Sequence, residues 1–105
     1  MKKMMIALAS ASLLLGATSV WANPEAAMNK AGCMACHTKD KKLVGPSFKE
    51  IAAKYKGQGD AVPKLMDKVR KGGAGVYGPV PMAPNPPDKI NDADLKAAVE
   101  LILKT

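Results

Sequence analysis

The sequence is poor in the residues from which most metal and redox sites are built. It contains one histidine, His37, and two cysteines, Cys33 and Cys36. A zinc site takes four ligands, most often cysteine and histidine, so a carboxylate would have to complete one here. Aromatic residues are as scarce: Trp21, Phe48, Tyr55 and Tyr77 are the full set. No segment alternates apolar and polar residues with period two, which argues against β-strands. No internal repeat and no low-complexity tract is present. The first apolar stretch, Ile6 to Ala17, falls short of the ~20 residues that a membrane span needs.

That stretch has another explanation. Lys2 and Lys3 precede it, Leu13-Leu14-Leu15 form its centre, and Val20-Trp21-Ala22 follows with small or compact residues where a signal peptidase reads. Residues 1–22 are therefore expected to be a secretory signal cut after Ala22, with one domain over residues 23–105. The competing reading is an uncleaved membrane anchor. Removal of the signal leaves 83 residues and three aromatics, because Trp21 leaves with it. A domain of that size has a marginal core. A large apolar cofactor would supply the missing bulk.

The same cleavage lowers the side-chain charge from +7 to +5, because Lys2 and Lys3 depart. A basic surface can meet nucleic acid, anionic membrane or an acidic protein. Export argues against nucleic acid. Lys39, Lys41 and Lys42 are the densest basic group, either a solvated turn or part of a docking face.

Four helices are expected. Asn23-Pro24-Glu25 reads as a cap, a first-turn proline and a first-turn acid, with Gly32 as the stop. Ser47-x-x-Glu50 is a capping box opening a helix with Phe48, Ile51, Ala52 and Tyr55 on one face. Near Asp60 a third helix starts, with Val62, Leu65, Met66 and Val69 at i, i+3, i+4 and i+7. Asn91 caps the fourth, which carries Leu95, Ala98, Val99 and Ile102. Between the third and fourth, residues 72–87 hold four glycines and five prolines, which excludes helix and central strand. A long loop of this kind in a small domain is functional or disordered. The fold class is all-α, with one long Pro-rich loop.

Directly after the first helix stands Cys33-Met34-Ala35-Cys36-His37, the Cys-x-x-Cys-His pattern of c-type haem attachment. Two thiols on one turn can add to vinyl groups along one edge of a porphyrin, and the adjacent imidazole then lies under the iron. Three rivals share the motif. A thioredoxin-like dithiol needs strands that this chain does not offer. A zinc site lacks ligands. A disulfide between Cys33 and Cys36 would close too short a loop to stabilise much.

With one histidine, a second axial histidine is excluded. The candidates are Met28, Met34, Met66 and Met82. Met34 sits inside the attachment loop, while Met28 and Met66 lie on apolar helix faces where methionine fills space. Met82 is the favoured ligand, an apolar side chain in the stiff loop Gly78-Pro79-Val80-Pro81-Met82. In the alternative, Met82 only covers the haem face and leaves the iron open to ligands. A thioether opposite an imidazole favours ferrous iron, and an iron with both axial positions filled suits an electron carrier rather than a catalyst.

Together with Val44-Gly45-Pro46 and the run Gly75 to Asn85, the attachment motif resembles the short-chain class I bacterial cytochromes c. These are soluble monohaem proteins that donate electrons to nitrite reductase and terminal oxidases. The resemblance covers nearly all of residues 23–105. It implies a class I cytochrome c fold of about four helices, with the first and last crossing and Met28 against Leu95 or Val99. It further implies one haem c on Cys33 and Cys36, with His37 and Met82 on the iron. Pro46 would accept a hydrogen bond from His37. Asn85 would hydrogen-bond near Met82 and tune its sulfur. Tyr77 would stand beside a haem propionate, where relatives often have Trp. The resulting expectation is a monomeric periplasmic electron carrier, without stable membrane insertion or nucleic-acid binding. Lys30, Lys39, Lys42, Lys68 and Lys71 are the expected steering charges for acidic redox partners. A ligand-binding haem protein is the alternative function.

Overall fold

The computed structural model describes residues 23–105. The expected secretory signal, residues 1–22, lies outside the described residues. The described residues form four α-helices: α1 (Pro24–Ala31), α2 (Phe48–Tyr55), α3 (Ala61–Lys71) and α4 (Asp92–Leu103). Among the described residues there is no strand, only isolated antiparallel bridges between His37 and Lys42 and between Gly73 and Met82.

Each helix begins where its local chemistry predicts. Asn23 is extended, and its side-chain oxygen accepts the Ala26 N–H at 3.1 Å. Ser47 does the same for the Glu50 N–H at 3.0 Å, and Asn91 for the Asp94 N–H at 2.8 Å. These caps satisfy donors that a helix leaves free at its start. The α2 N-terminus has further partners. The Phe48 N–H donates to the Thr38 carbonyl at 2.9 Å and the Lys49 N–H to the Lys39 carbonyl at 3.1 Å. The segment just after His37 is thereby tied to α2. Asp60 makes no side-chain cap on α3; its carboxylate pairs instead with Lys64 at 3.1 Å.

Helix α1 ends at Gly32, whose φ of 85° is the left-handed conformation that favours glycine. A 3₁₀ turn over Cys33–Ala35 follows at once. The abrupt stop delivers the two cysteines to a tight turn rather than to the continuing helix.

The core forms around α4, against which α1, α2 and α3 all pack. Its buried members are Met28, Phe48, Ile51, Leu65, Ile90, Leu95, Ala98 and Val99. Met28, Leu95 and Val99 are the largest fully buried side chains, so Met28 does sit where the first and last helices meet. Burial of each such side chain contributes roughly 1.5–3 kcal/mol. The α3 stripe turns the same way, with Leu65 buried and Val62, Met66 and Val69 packed against the core from its edge. Ile102 is half-buried and packs against the core from its edge.

Candidate haem site

The 3₁₀ turn, the start of α2, the inner face of α3 and the Pro-rich loop enclose one apolar cavity of about 280 Å³. Its wall includes Cys33, Cys36, His37, Tyr77 and Met82. Residues nearly fifty positions apart in sequence thus share one chamber. Phe48, Ile51, Leu65 and Val99 supply apolar surface to it.

His37 is held on two sides. Its Nδ1–H donates to the Pro46 carbonyl oxygen at 2.7 Å. A carbonyl can only accept, so Nδ1 carries the proton and Nε2 keeps its lone pair. The ring also stacks on Phe48, with centroids 5.6 Å apart and planes at 21°. A Cβ built on Gly45 would lie 2.6 Å from His37 Cε1. Only a residue without a side chain allows the Gly45 backbone this close to the imidazole.

Cys33 is half-buried and Cys36 exposed, and no disulfide joins them. Burial pushes the Cys33 thiol up, against the lowering effect of a backbone hydrogen bond, with a smaller upward push from Cys36. A reactive dithiol needs the opposite, a thiolate stabilised by its surroundings. The raised Cys33 thiol and the lack of strands among the described residues both speak against the thioredoxin-like alternative.

Met82 is positioned by backbone. Gly73 N–H donates to the Met82 carbonyl at 2.9 Å, and Met82 N–H returns the bond to Gly73 at 3.0 Å. Gly72 makes this approach possible. Its φ is 66°, and a Cβ there would collide with the Met82 carbonyl oxygen. Asn85 is buried, and its backbone N–H reaches the Val69 carbonyl at 3.0 Å. Its side-chain amide donates to the carbonyls of Val69 (3.3 Å) and Ala83 (3.1 Å). These two contacts account for both amide hydrogens, so Asn85 acts on the backbone around Met82.

Tyr77 brings a different feature. Its hydroxyl is buried and has no hydrogen-bond partner among the described residues. Lys54 Nζ stands 5.1 Å from the ring centroid. Desolvation, with smaller effects of Tyr55 and Glu50, pushes the phenol up to about 12. A polar recess next to the ring is lined by Lys42, Pro46, Glu50, Lys54 and Val76. Of the five lysines singled out from the sequence, Lys68 lines the apolar cavity and Lys42 this recess. Lys71 is paired with Asp67 at 3.0 Å, while Lys30 and Lys39 are exposed.

Sequence reasoning passed over Arg70. Its Nη1 donates to the carbonyls of Asn85 (3.0 Å) and Ile90 (2.6 Å), and its Nη2 to Asp92 Oδ1 (2.6 Å). One signal was available: Arg70 is the only arginine beside fifteen lysines.

The site fits a haem on its own chemistry. It offers an apolar chamber, two thiols on one turn, an imidazole with a free Nε2 lone pair and a thioether. It also has an orphaned phenol hydroxyl, a donor for an acidic substituent.

Comparison with known proteins agrees. The family model described as Cytochrome c matches residues 22–105. A cytochrome c2 of Rubrivivax gelatinosus is 50% identical over 84 residues, 80% of this chain and 99% of that protein. Cytochrome c-551 of Pseudomonas aeruginosa is 39% identical over 97 residues, 91% of this chain and 88% of that one. The crystal structure of wild-type Nitrosomonas europaea cytochrome c552 superimposes with a TM-score of 0.70 at 42% identity, covering 76% and 96% of the two chains. With a family model over every described residue and the fold shared as well as the sequence, the chain belongs to the class I cytochromes c, electron-transfer proteins rather than enzymes that carry one covalently attached haem c.

Proposed function

We propose that this cytochrome c is a periplasmic carrier whose haem is bound by Cys33 and Cys36 and whose iron is held between His37 and Met82. When bound, the haem supplies a one-electron ferric/ferrous couple. The chain's residues supply everything else. Cys33 and Cys36 fix one edge. Pro46 holds the Nδ1 proton of His37, so Nε2 is the nitrogen left to ligate and the imidazole gains basicity. Gly72, Gly73 and Asn85 hold the Met82 backbone. The apolar wall excludes water, which disfavours ferric charge. Tyr77 offers its hydroxyl to a propionate.

The observation that carries this reading is the convergence of His37, with its Nε2 free, and Met82 on one apolar cavity. Filled axial positions leave no open coordination site for a substrate, which suits outer-sphere transfer.

The proposal includes residues 1–22 as a cleaved export signal and residues 23–105 as a monomeric domain. The +5 charge of that domain fits acidic redox partners, with nitrite reductases and terminal oxidases the kinds implied by the resemblance. Among the described residues no helix is long and apolar enough to cross a membrane.

The test is the absorption spectrum of the exported protein, oxidised and reduced, beside Met82→Ala. The expected result is low-spin haem with the weak far-red band of sulfur-ligated ferric iron, lost in the variant. High-spin haem that binds carbon monoxide when reduced would replace the carrier reading with a ligand-binding one.

A further inference from the structure

We propose that Arg70 is a positioning residue for Met82, holding closed the segment that follows the methionine. The inference rests on the reading of Met82 as an iron ligand.

The loop has an unusual need. Pro84, Pro86 and Pro87 have no N–H, so this stretch can donate few hydrogen bonds of its own. Its hold on the rest of the molecule must come from elsewhere. Three positions in and just after the last turns of α3 provide it. Gly73 pairs with Met82, and the Val69 carbonyl receives the backbone N–H and one side-chain N–H of Asn85. Arg70 alone reaches further. One guanidinium nitrogen joins the Asn85 carbonyl to the Ile90 carbonyl, the two ends of the turn that leads into α4. The other reaches Asp92 in the first turn of α4.

A plain ion pair between Arg70 and Asp92 is the simpler reading, and the burial decides against it. The Asp92 side chain is 86% exposed, and an exposed partner contributes little. Asn85 and Ile90 are buried, so their carbonyls are costly to leave unpaired. Arg70, with its side chain 19% exposed, is the donor that each of them finds. Both carbonyls are served by Nη1, which stands one bond further along the side chain than a lysine Nζ and belongs to a rigid planar group, so a lysine ammonium does not reproduce the pair.

An incoming ligand reaches the iron only when Met82 has moved away, so its apparent affinity reports the open fraction of the loop. The experiment titrates oxidised, haem-loaded protein with imidazole and follows the far-red band. Arg70→Ala and Arg70→Lys are expected to bind imidazole about tenfold more tightly than the wild type. Asp92→Asn, which keeps the carbonyl contacts, should stay within about twofold. Asn23→Ala weakens the α1 cap without touching the loop, and it measures what a general loss of stability does. If Arg70→Ala does not accumulate as loaded protein, Arg70→Lys carries the test. Imidazole affinities in the Arg70 variants no greater than in Asn23→Ala would overturn the proposal. So would an Asp92→Asn effect as large as that of Arg70→Ala. Persistence of the far-red band in Met82→Ala is a separate outcome; it removes the ligand assignment itself.

Discussion

His37 and Pro46 are joined by one hydrogen bond, Nδ1–H to carbonyl oxygen at 2.7 Å. The bond fixes the tautomer and the plane of the only imidazole in the chain. Pro46 is suited to the role, because its locked φ leaves the backbone that carries this carbonyl fewer conformations. The residue before it, Gly45, leaves room for the ring. The three residues act together, and the first prediction concerns the smallest of them.

Gly45→Ala would drive a methyl to 2.6 Å from His37 Cε1. The ring or the backbone must shift, and the bond to Pro46 weakens with it. Denaturant unfolding of the loaded protein should show a loss of about 1–3 kcal/mol. Gly59→Ala is the comparison, since a Cβ there meets nothing. A loss at Gly45 no larger than at Gly59 would show that the close approach is unimportant.

Gly72 and Gly57 both have positive φ, 66° and 79°. Their surroundings differ: a Cβ meets open space at Gly57 and the Met82 carbonyl at Gly72. Gly57→Ala should cost about 1 kcal/mol for conformation alone. Gly72→Ala should cost clearly more and should also weaken the far-red band, because the strand-like pairing with Met82 is displaced. Equal losses in unfolding experiments, with unchanged spectra, would refute the contrast.

Tyr77 should deprotonate near pH 12. Its pKa is higher in the folded than in the unfolded chain, where it lies near 10. The unfolded chain therefore loses the proton first as pH rises. The stabilising contribution is whole below about pH 10 and disappears as pH climbs through about 12. Ultraviolet titration of the phenolate, with Tyr77→Phe as the blank, reads the step. Tyr77→Phe should also flatten the fall in stability across this window. A Tyr77 midpoint at or below 10 would contradict its burial.

Met28→Ala removes one of the three largest fully buried side chains, at the meeting of α1 and α4. The expected cost is about 2–5 kcal/mol. Met66→Ala lies on the partly buried edge of α3 and should cost less. Urea midpoints of the two loaded variants compare them directly. A smaller loss for Met28 would mean that the α1–α4 contact is not central to stability.

Much of the fold was legible along the chain because its signals are local. Asn23, Ser47 and Asn91 cap helices through bonds to residues three positions on, and Gly32 stops α1 where it stands. The apolar stripe of α3 follows the helical period, with Leu65 innermost. What escaped the reading are bonds between distant segments. Arg70 contacts residues 15 to 22 positions away. The pairing of Gly73 with Met82 and the donation from α2 to the Thr38 carbonyl are equally without a pattern in sequence. The partners of the Asn85 amide, the Val69 and Ala83 carbonyls, are likewise unmarked in the sequence. Which acceptor an amide chooses depends on what folding brings within about 3 Å, and sequence carries no such distance.

By itself the sequence determined the helices, the attachment motif and the scarcity of alternatives. One histidine and two cysteines three positions apart leave few chemistries open, and helix caps act within a single turn. Only the tertiary structure decided how Met82 is held, why Gly45 and Gly72 must lack side chains, and what the lone arginine does. Those answers depend on close packing between segments remote in the chain, where a methyl group or a single carbonyl determines the arrangement.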